Sequence, residues 1–481
     1  LAVFLVDYHE GTSERYVVPL AVVTGDGASM ISRFTAQAIV ARLRKTVDGG
    51  EALLFDAFEN GAVAPRLYDT IARQRRARGW ALELSGSTTR VFRKQRPADG
   101  SVPPATAMRA DQSHSSLTYG DRFVLKLFRR IEEGPHPELE VVRFLSEKAK
   151  FTNAPGVAGA IAISSKAGIA TLAVLHEFVT FEADGWTYAI DQLDDYFDRW
   201  IARARESQTP EPPIGSVLAL ATAAPPPEVF DLVGPWVHGI ELLGRRTAEL
   251  HAALATPTDD EEFEAEPFTS LYQRSLYQAM RNAVGHVFQR LRERRRHFAE
   301  PLAALATKLL ERERDALRLC EGIRQRKVSA LRTRVHGDYH LKQALWTGKD
   351  FILIDFEGEP ARPLGERRIK RSPLRDVASM LRSFEYAAHH ARAREDEAKR
   401  ASIDGKAIRF WTRWVSAVFV RGYFDVAAKT PVLPRAPEEL ALLLDFYLLD
   451  KAIYELRYEL DNRPDWVAIP LAGILELLEP R

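Results

Sequence analysis

The sequence predicts an α+β fold made of a mixed amino-terminal unit, a small strand-rich lobe with one helix, and a large, mainly helical lobe. Three observations predict it. Strand-like apolar runs crowd roughly the first 185 residues, helical periodicity takes over after Trp186, and the short run FILI at 351–354 interrupts the helices as a strand. At 481 residues the chain is too long for one core, which implies two or three units. Their expected extents are 1–100, 101–185 and 186–481.

In the first unit, LAVFLVDY and RYVVPLAVV read as strands joined by the turn-rich HEGTSE, and EALLFDAF reads as a third. LYDTIARQRRARG reads as a helix, with Leu67, Ile71 and Ala72 at helical spacing and the basic run Arg73 to Arg78 as its solvated face. PADGSVPPATA (97–107) is a linker or exposed loop. In the second lobe DRFVLKLFRR is a strand. PELEVVRFL is a helix opened by Pro137, with Leu139, Val142, Phe144 and Leu145 available for its buried side. VLHEFV (174–179) reads as the edge strand that leads into a hinge. The third lobe carries helical stretches such as GIELLGRRTAELHAALA, broken by the Pro-rich SQTPEPPIG and TAAPPPEVF.

Composition excludes several partners. Lys and Arg total 67 against 66 for Asp and Glu, so no global field attracts nucleic acid or an anionic membrane. No run approaches the roughly 18 apolar residues that span a bilayer, and the first residues lack the basic region and cleavage site of a signal peptide. The lone Cys320 cannot form an intrachain disulfide; it reads as a structural thiol and fits a reducing cytoplasm. The chain starts without Met inside a strand run, which reads as a trimmed or longer polypeptide.

The chemistry concentrates in RVHGDYHLKQALWTGKDFILIDFEGEP (334–360). Gln343 lies five residues after Asp338, and Asp355 lies twelve further on, at the end of the FILI strand. The turn WTGKD lets the two segments pair as a hairpin, which would bring Asp338, Gln343 and Asp355 to one end. Phosphoryl transfer needs this set: a carboxylate that orients the attacking hydroxyl and accepts its proton, and oxygen ligands that hold Mg²⁺ against the phosphates. The spacing is that of protein kinases, with Gln in place of Asn. The bland alternative makes HGD a turn and Asp355 a strand end. Glu357 and Glu359 add carboxylates beside Asp355.

The nucleotide side needs a cation. Lys126 alternates with Val124, Leu125, Leu127 and Phe128 in an apolar strand, which is costly unless the lysine is paired. Its candidate partner is Glu140, fourteen residues later on the next helix, with Glu138 as the alternative. Gln112, Ser113, Ser115 and Ser116 occupy the place of a phosphate-covering loop, and the backbone from Glu177 to Val179 is placed to bind adenine.

These residues carry a resemblance. DQSHSSLTYGDRFVLKLFRRIEEGPHPELEVVRFL, VHGDYHLKQALW, DFEGEPARPLGERRIKRSPLRDVASMLRSFEYA and YELRYELDNRPDWVAIPLAGI are similar, in order across most of 108–474, to the maltokinase family often fused to trehalose synthase. The resemblance implies a bilobal protein-kinase-like fold, related to aminoglycoside phosphotransferases, with an N-terminal cap subdomain on the strand-rich N-lobe and a mainly helical C-lobe. It implies ATP and Mg²⁺ as cofactors, maltose as acceptor, maltose 1-phosphate as product, and a place in α-glucan synthesis from trehalose. It further implies Asp338 as base, Gln343 and Asp355 as metal ligands, Lys126 with Glu140 as phosphate anchor, and Asp376 as a brace of the catalytic loop. Tyr339 and Lys342 depart from it, standing where Leu and Gly are common.

Candidate substrate-binding residues are His336, Glu357, Glu359 and Arg362 near the metal segment. Tyr454, Tyr458, Arg463 and Trp466 follow in IYELRYELDNRPDW, where the two tyrosines, four apart, share a helix face. A buried aromatic stripe is the alternative for the latter group. The rival functions are a kinase for another sugar such as glucosamine, a metal-dependent hydrolase using His336, Asp338 and His340, and an inactive binding module.

Overall fold

The computed structural model describes residues 1–9, 11–44, 50–79, 82–108, 114–166 and 168–479. They form two compact units, one joining Leu1–Thr180 to Phe356–Arg368, the other joining Phe181–Asp355 to Ile369–Arg481. No described helix is long and apolar enough to cross a membrane.

The first unit contains strands β1 (Ala2–Val6), β2 (Glu14–Val18), β3 (Leu20–Thr24), β4 (Ile39–Arg44), β5 (Glu51–Asp56), β6 (Arg76–Arg78) and β7 (Glu83–Thr88). These are followed by β8 (Ala105–Ala107), β9 (His114–Tyr119), β10 (Phe123–Phe128), β11 (Arg130–Ile131), β12 (Val157–Ser164) and β13 (Ile169–Glu177). Its longer helices are α1 (Asp26–Phe34), α2 (Ala64–Ala72), α3 (Arg90–Gln95) and α4 (Pro137–Glu147). The main sheet has seven strands in the order β6-β7-β12-β13-β10-β9-β8, and two three-stranded sheets, β1-β2-β11 and β3-β5-β4, complete the unit. Its core gathers Ile71, Leu117, Leu125, Leu127, Ile161, Leu172 and Leu175. Helix α2 seats directly on the sheet at Gly86, where a Cβ would lie 1.9 Å from the Thr70 carbonyl oxygen.

Three expectations change here. The boundary expected at residue 100 falls inside the main sheet, because β7 pairs with β12 from Gly159–Thr88 to Ser164–Glu83. VLHEFV is not an edge: β13 lies between β12 and β10, hydrogen-bonded on both sides. The basic run is not a helix face either. Helix α2 ends at Ala72, Gln74 takes a left-handed φ of 48°, and Arg76–Arg78 continue as the exposed strand β6.

In the second unit five helices matter for the site: α5 (Gly185–Arg205), α6 (Trp236–Leu254), α7 (Leu374–Arg394), α8 (Gly405–Ala427) and α9 (Pro437–Asn462). Asp184 caps α5 by accepting from the Thr187 N–H at 2.9 Å. A small sheet follows the order β14 (Ala183–Asp184), β15 (Ala344–Trp346), β16 (Phe351–Leu353). β15 and β16 form the expected hairpin, with Leu345 opposite Ile352 and the turn closed by Thr347 and Asp350. Helices α6 and α8 meet backbone to backbone: a Cβ at Gly244 would come 2.1 Å from the Phe419 carbonyl oxygen, and one at Gly422 2.1 Å from that of Glu241. Cys320 is buried, and burial pushes its thiol up to about 12, as befits a structural group.

Candidate active site

In the second unit the HGD loop is held from behind by Asp376, at the start of α7. One carboxylate oxygen accepts from the His336 N–H at 2.7 Å and the other from the Gly337 N–H at 3.0 Å. His251 Nε2 lies 3.1 Å from the first oxygen. Burial opposes ionisation of Asp376, yet the His251 hydrogen bond and nearby His336 hold its carboxyl below the usual range. A heptad later on the same helix, Ser383 Oγ accepts from the Leu341 N–H at 3.1 Å. Helix α7 thus fixes both ends of the loop that carries Asp338.

Asp338 is itself half-buried. Burial raises its pKa, Lys451 and His336 oppose that rise, and the neighbouring Asp355 adds to it. His340 Nε2 is 3.9 Å from the Asp338 carboxylate, and burial followed by Lys451 and His336 pushes the His340 ring down to about 4, so it is neutral near pH 7. Gln343 and Asp355 converge, with the amide Nε2 donating to Asp355 Oδ2 at 2.9 Å. Asp355 sits just past β16 with a φ of 70°, a left-handed conformation that Asp tolerates better than most side chains. The three residues expected at one end of the hairpin are therefore neighbours.

The lysine expected as phosphate anchor lies in the first unit. Lys126 on β10 pairs with Glu138, Nζ to Oε1 at 3.0 Å, and His176 Nε2 lies 2.9 Å from the same oxygen. Burial penalises the Glu138 charge, but Lys126 and His176 hold its carboxyl well below the usual range. The favoured sequence partner, Glu140, instead takes Arg368 through two hydrogen bonds of 2.9 Å. Residues 138 and 140 differ by about 200° around a helix, so one cannot replace the other.

Several expectations are corrected. Ser115 and Ser116 are not in a loop: they lie on β9, opposite Leu127 and Lys126, and Ser115 Oγ accepts from Arg129 at 2.9 Å. Gln112 and Ser113 fall outside the described residues. The Glu177 N–H donates to the Gly156 carbonyl at 2.8 Å and its carboxylate accepts from the Gln95 side-chain amide; Val179 follows beyond the strand. His336 does not lie on an open surface. It is buried, with Nε2 2.9 Å from the Ile354 carbonyl oxygen. Glu357 is buried within the first unit, 3.5 Å from His114 and 3.9 Å from Arg367. Glu359 and Arg362 share a turn there, closed by the Arg362 N–H to the Glu359 carbonyl at 3.0 Å, and the Arg362 side chain is 3.5 Å from Glu366.

The aromatic group of the second unit is only partly assembled. Trp466 stacks on His390 at 5.6 Å and on Tyr386 at 6.1 Å, and the Arg463 guanidinium lies over Trp466 and Tyr458. Arg463 also pairs with Glu459 through bonds of 2.9 and 2.6 Å, while Tyr454 lies under Lys451 at 5.1 Å. Lys451, His251, Thr247, Tyr386 and His390 were not anticipated as site residues. The one available signal was a polar residue on an apolar stretch, as in FYLLDKAIYEL and TAELHAALA.

A braced carboxylate loop followed by a strand-terminal aspartate, on this architecture, defines a kinase-like fold. The chain aligns with a solved structure of glucosamine kinase in complex with glucosamine, ADP and inorganic phosphate: TM-score 0.64, 18% identity, covering 100% of this chain and 95% of that one. A second crystal form of glucosamine kinase gives a TM-score of 0.63. In sequence, the glucosamine kinase of Mycolicibacterium smegmatis is 26% identical over 378 residues, 77% of this chain and 78% of that protein. That of Streptacidiphilus jiangxiensis is 23% identical over 387 residues, 79% and 75% of the two. No family model matches the chain.

Proposed function

We propose that the protein is an ATP-dependent sugar kinase, with glucosamine the acceptor best supported. The observation that carries the kinase reading is the meeting of Gln343 and Asp355 at 2.9 Å beside a half-buried Asp338 on a loop pinned by Asp376. The two relatives, both glucosamine kinases over about three quarters of the chain, favour the amino sugar over the maltose that the family resemblance implies.

In this reading Asp338 orients the acceptor hydroxyl and takes its proton. Lys126, held in place by Glu138, binds phosphate oxygens of the nucleotide. The Gln343 amide, turned to present its oxygen, and the Asp355 carboxylate are the hard donors that Mg²⁺ takes, and they would hold the ion. Bound there, Mg²⁺ would neutralise charge on the transferring phosphoryl group. Maltose remains the second reading, favoured by the Trp466–Tyr386 stack, a flat face of the kind sugar rings cover.

A panel of sugars with ATP, followed by phosphorus NMR of the product, tests both. Glucosamine phosphate is the expected product; maltose 1-phosphate alone would reverse the choice of acceptor, and no sugar phosphate at all would sink the kinase reading.

A further inference from the structure

Tyr339 follows the base directly and is one of the two residues that depart from the resembled pattern. Its side chain is buried, and its hydroxyl lies 2.7 Å from Thr247 Oγ1 on α6. Thr247 has one proton, which goes to the Leu243 carbonyl at 2.8 Å. Tyr339 is therefore the donor and Thr247 the acceptor.

One turn along α6, His251 is equally buried, with Nδ1 2.9 Å from the Tyr423 hydroxyl and Nε2 3.1 Å from Asp376 Oδ2. An ionised Asp376 only accepts, so His251 Nε2 carries a proton toward it, and His251 Nδ1 and the Tyr423 hydroxyl share the other hydrogen bond. Helix α6 thus reaches the loop on both sides of Asp338: through Thr247 to Tyr339 after it, and through His251 and Asp376 to the Gly337 N–H before it.

We propose that Tyr339 and His251, tied to α6 and α8, are positioning residues that fix where the Asp338 carboxylate sits. The proposal rests on the reading of Asp338 as the base. Every donor in the network has an acceptor, so deleting one oxygen leaves a buried polar group unmatched and lets the loop shift. A shift well below an ångström is enough to slow proton acceptance without altering nucleotide binding.

The test is a double-mutant cycle of Tyr339→Phe and Thr247→Val in the full chain, read by kcat and KM for ATP with glucosamine, and by hydrogen exchange of loop 336–343. Each single variant is expected to lose about tenfold in kcat with KM for ATP held within about twofold. The double variant should lose no more than the worse single, and loop exchange should quicken in all three. His251→Gln, which keeps an N–H donor, should retain more turnover than His251→Ala. Unchanged kcat and exchange in both singles, or losses that multiply in the double variant, overturn the proposal. If the wild type phosphorylates no sugar, the kinase reading fails by itself, and the exchange measurement still decides whether the clamp exists.

Discussion

Asp338 is the residue whose environment makes the sharpest claim. Asp338→Asn keeps the shape and removes the proton acceptor, so turnover should fall by about 10²–10⁴ with the melting temperature unchanged. On the proposed role Asp338 must be ionised, and burial with Asp355 nearby raises its pKa, so activity should be lost as pH falls through a value above the ordinary aspartate range. Lys451 opposes the rise; Lys451→Met should move the acid limb of kcat to higher pH, and a limb that stays put would show that Lys451 does not act on the base. The Lys126–Glu138 pair makes a different claim. Glu138→Gln leaves the largely enclosed Lys126 beside a neutral partner and should cost about 3 kcal/mol in denaturant unfolding. Glu140→Gln, at a half-buried pair, should cost about 1 kcal/mol or less. Because the Glu138 pKa is depressed, its stabilisation is present above the unfolded value of about 4.3 and is lost as pH falls below it through the folded one.

Among the elements, α7 and α6 hold the loop that carries Asp338. Asp376→Ala strips the acceptor from two backbone N–H groups and from His251, and should destabilise by about 3 kcal/mol. The α6–α8 crossing can be tested separately: Gly244→Ala drives a methyl into the Phe419 carbonyl and should cost about 2 kcal/mol or more, with a melting shift to match. Much of this organisation was readable in the chain. FILI declared its strand because four apolar residues stand alone among polar turns, and PELEVVRFL declared its helix through Pro137 and its apolar spacing. What stayed hidden depended on rotation or on distance. Nothing in PELE says which glutamate turns toward Lys126. His251 and Asp376 are separated by 125 residues, so neither announces the other. Ser115 and Ser116 look like loop residues by type, yet strand pairing with β10 overrides that preference.

At the level of the whole molecule, the amino-terminal strands are not an appendage. β6 and β7 complete a sheet whose other members begin only at Ala105, and β7 covers the flank of β12. A fragment starting at residue 101 would uncover that flank and the apolar residues against which Ile71 and Phe92 pack. It should fail to give a cooperative unfolding transition by circular dichroism; a well-folded fragment would show that the first hundred residues are dispensable. The chain also leaves the second unit after Asp355 and returns at Ile369, so the segment Phe356–Arg368 belongs with the first unit. Within it, Arg367 pairs with Glu132 at 2.7 Å and Arg368 with Glu140, local ties that account for its allegiance.

The left-handed backbone at Asp355 sets a trap for anyone breeding a tougher enzyme. Glycine at that position would relax the main chain by about 1 kcal/mol, while removing the carboxylate that the proposed chemistry uses to hold Mg²⁺. A library selected for heat resistance alone would therefore drift toward robust, inert proteins, and only a screen that scores product at every round would keep the aspartate in place.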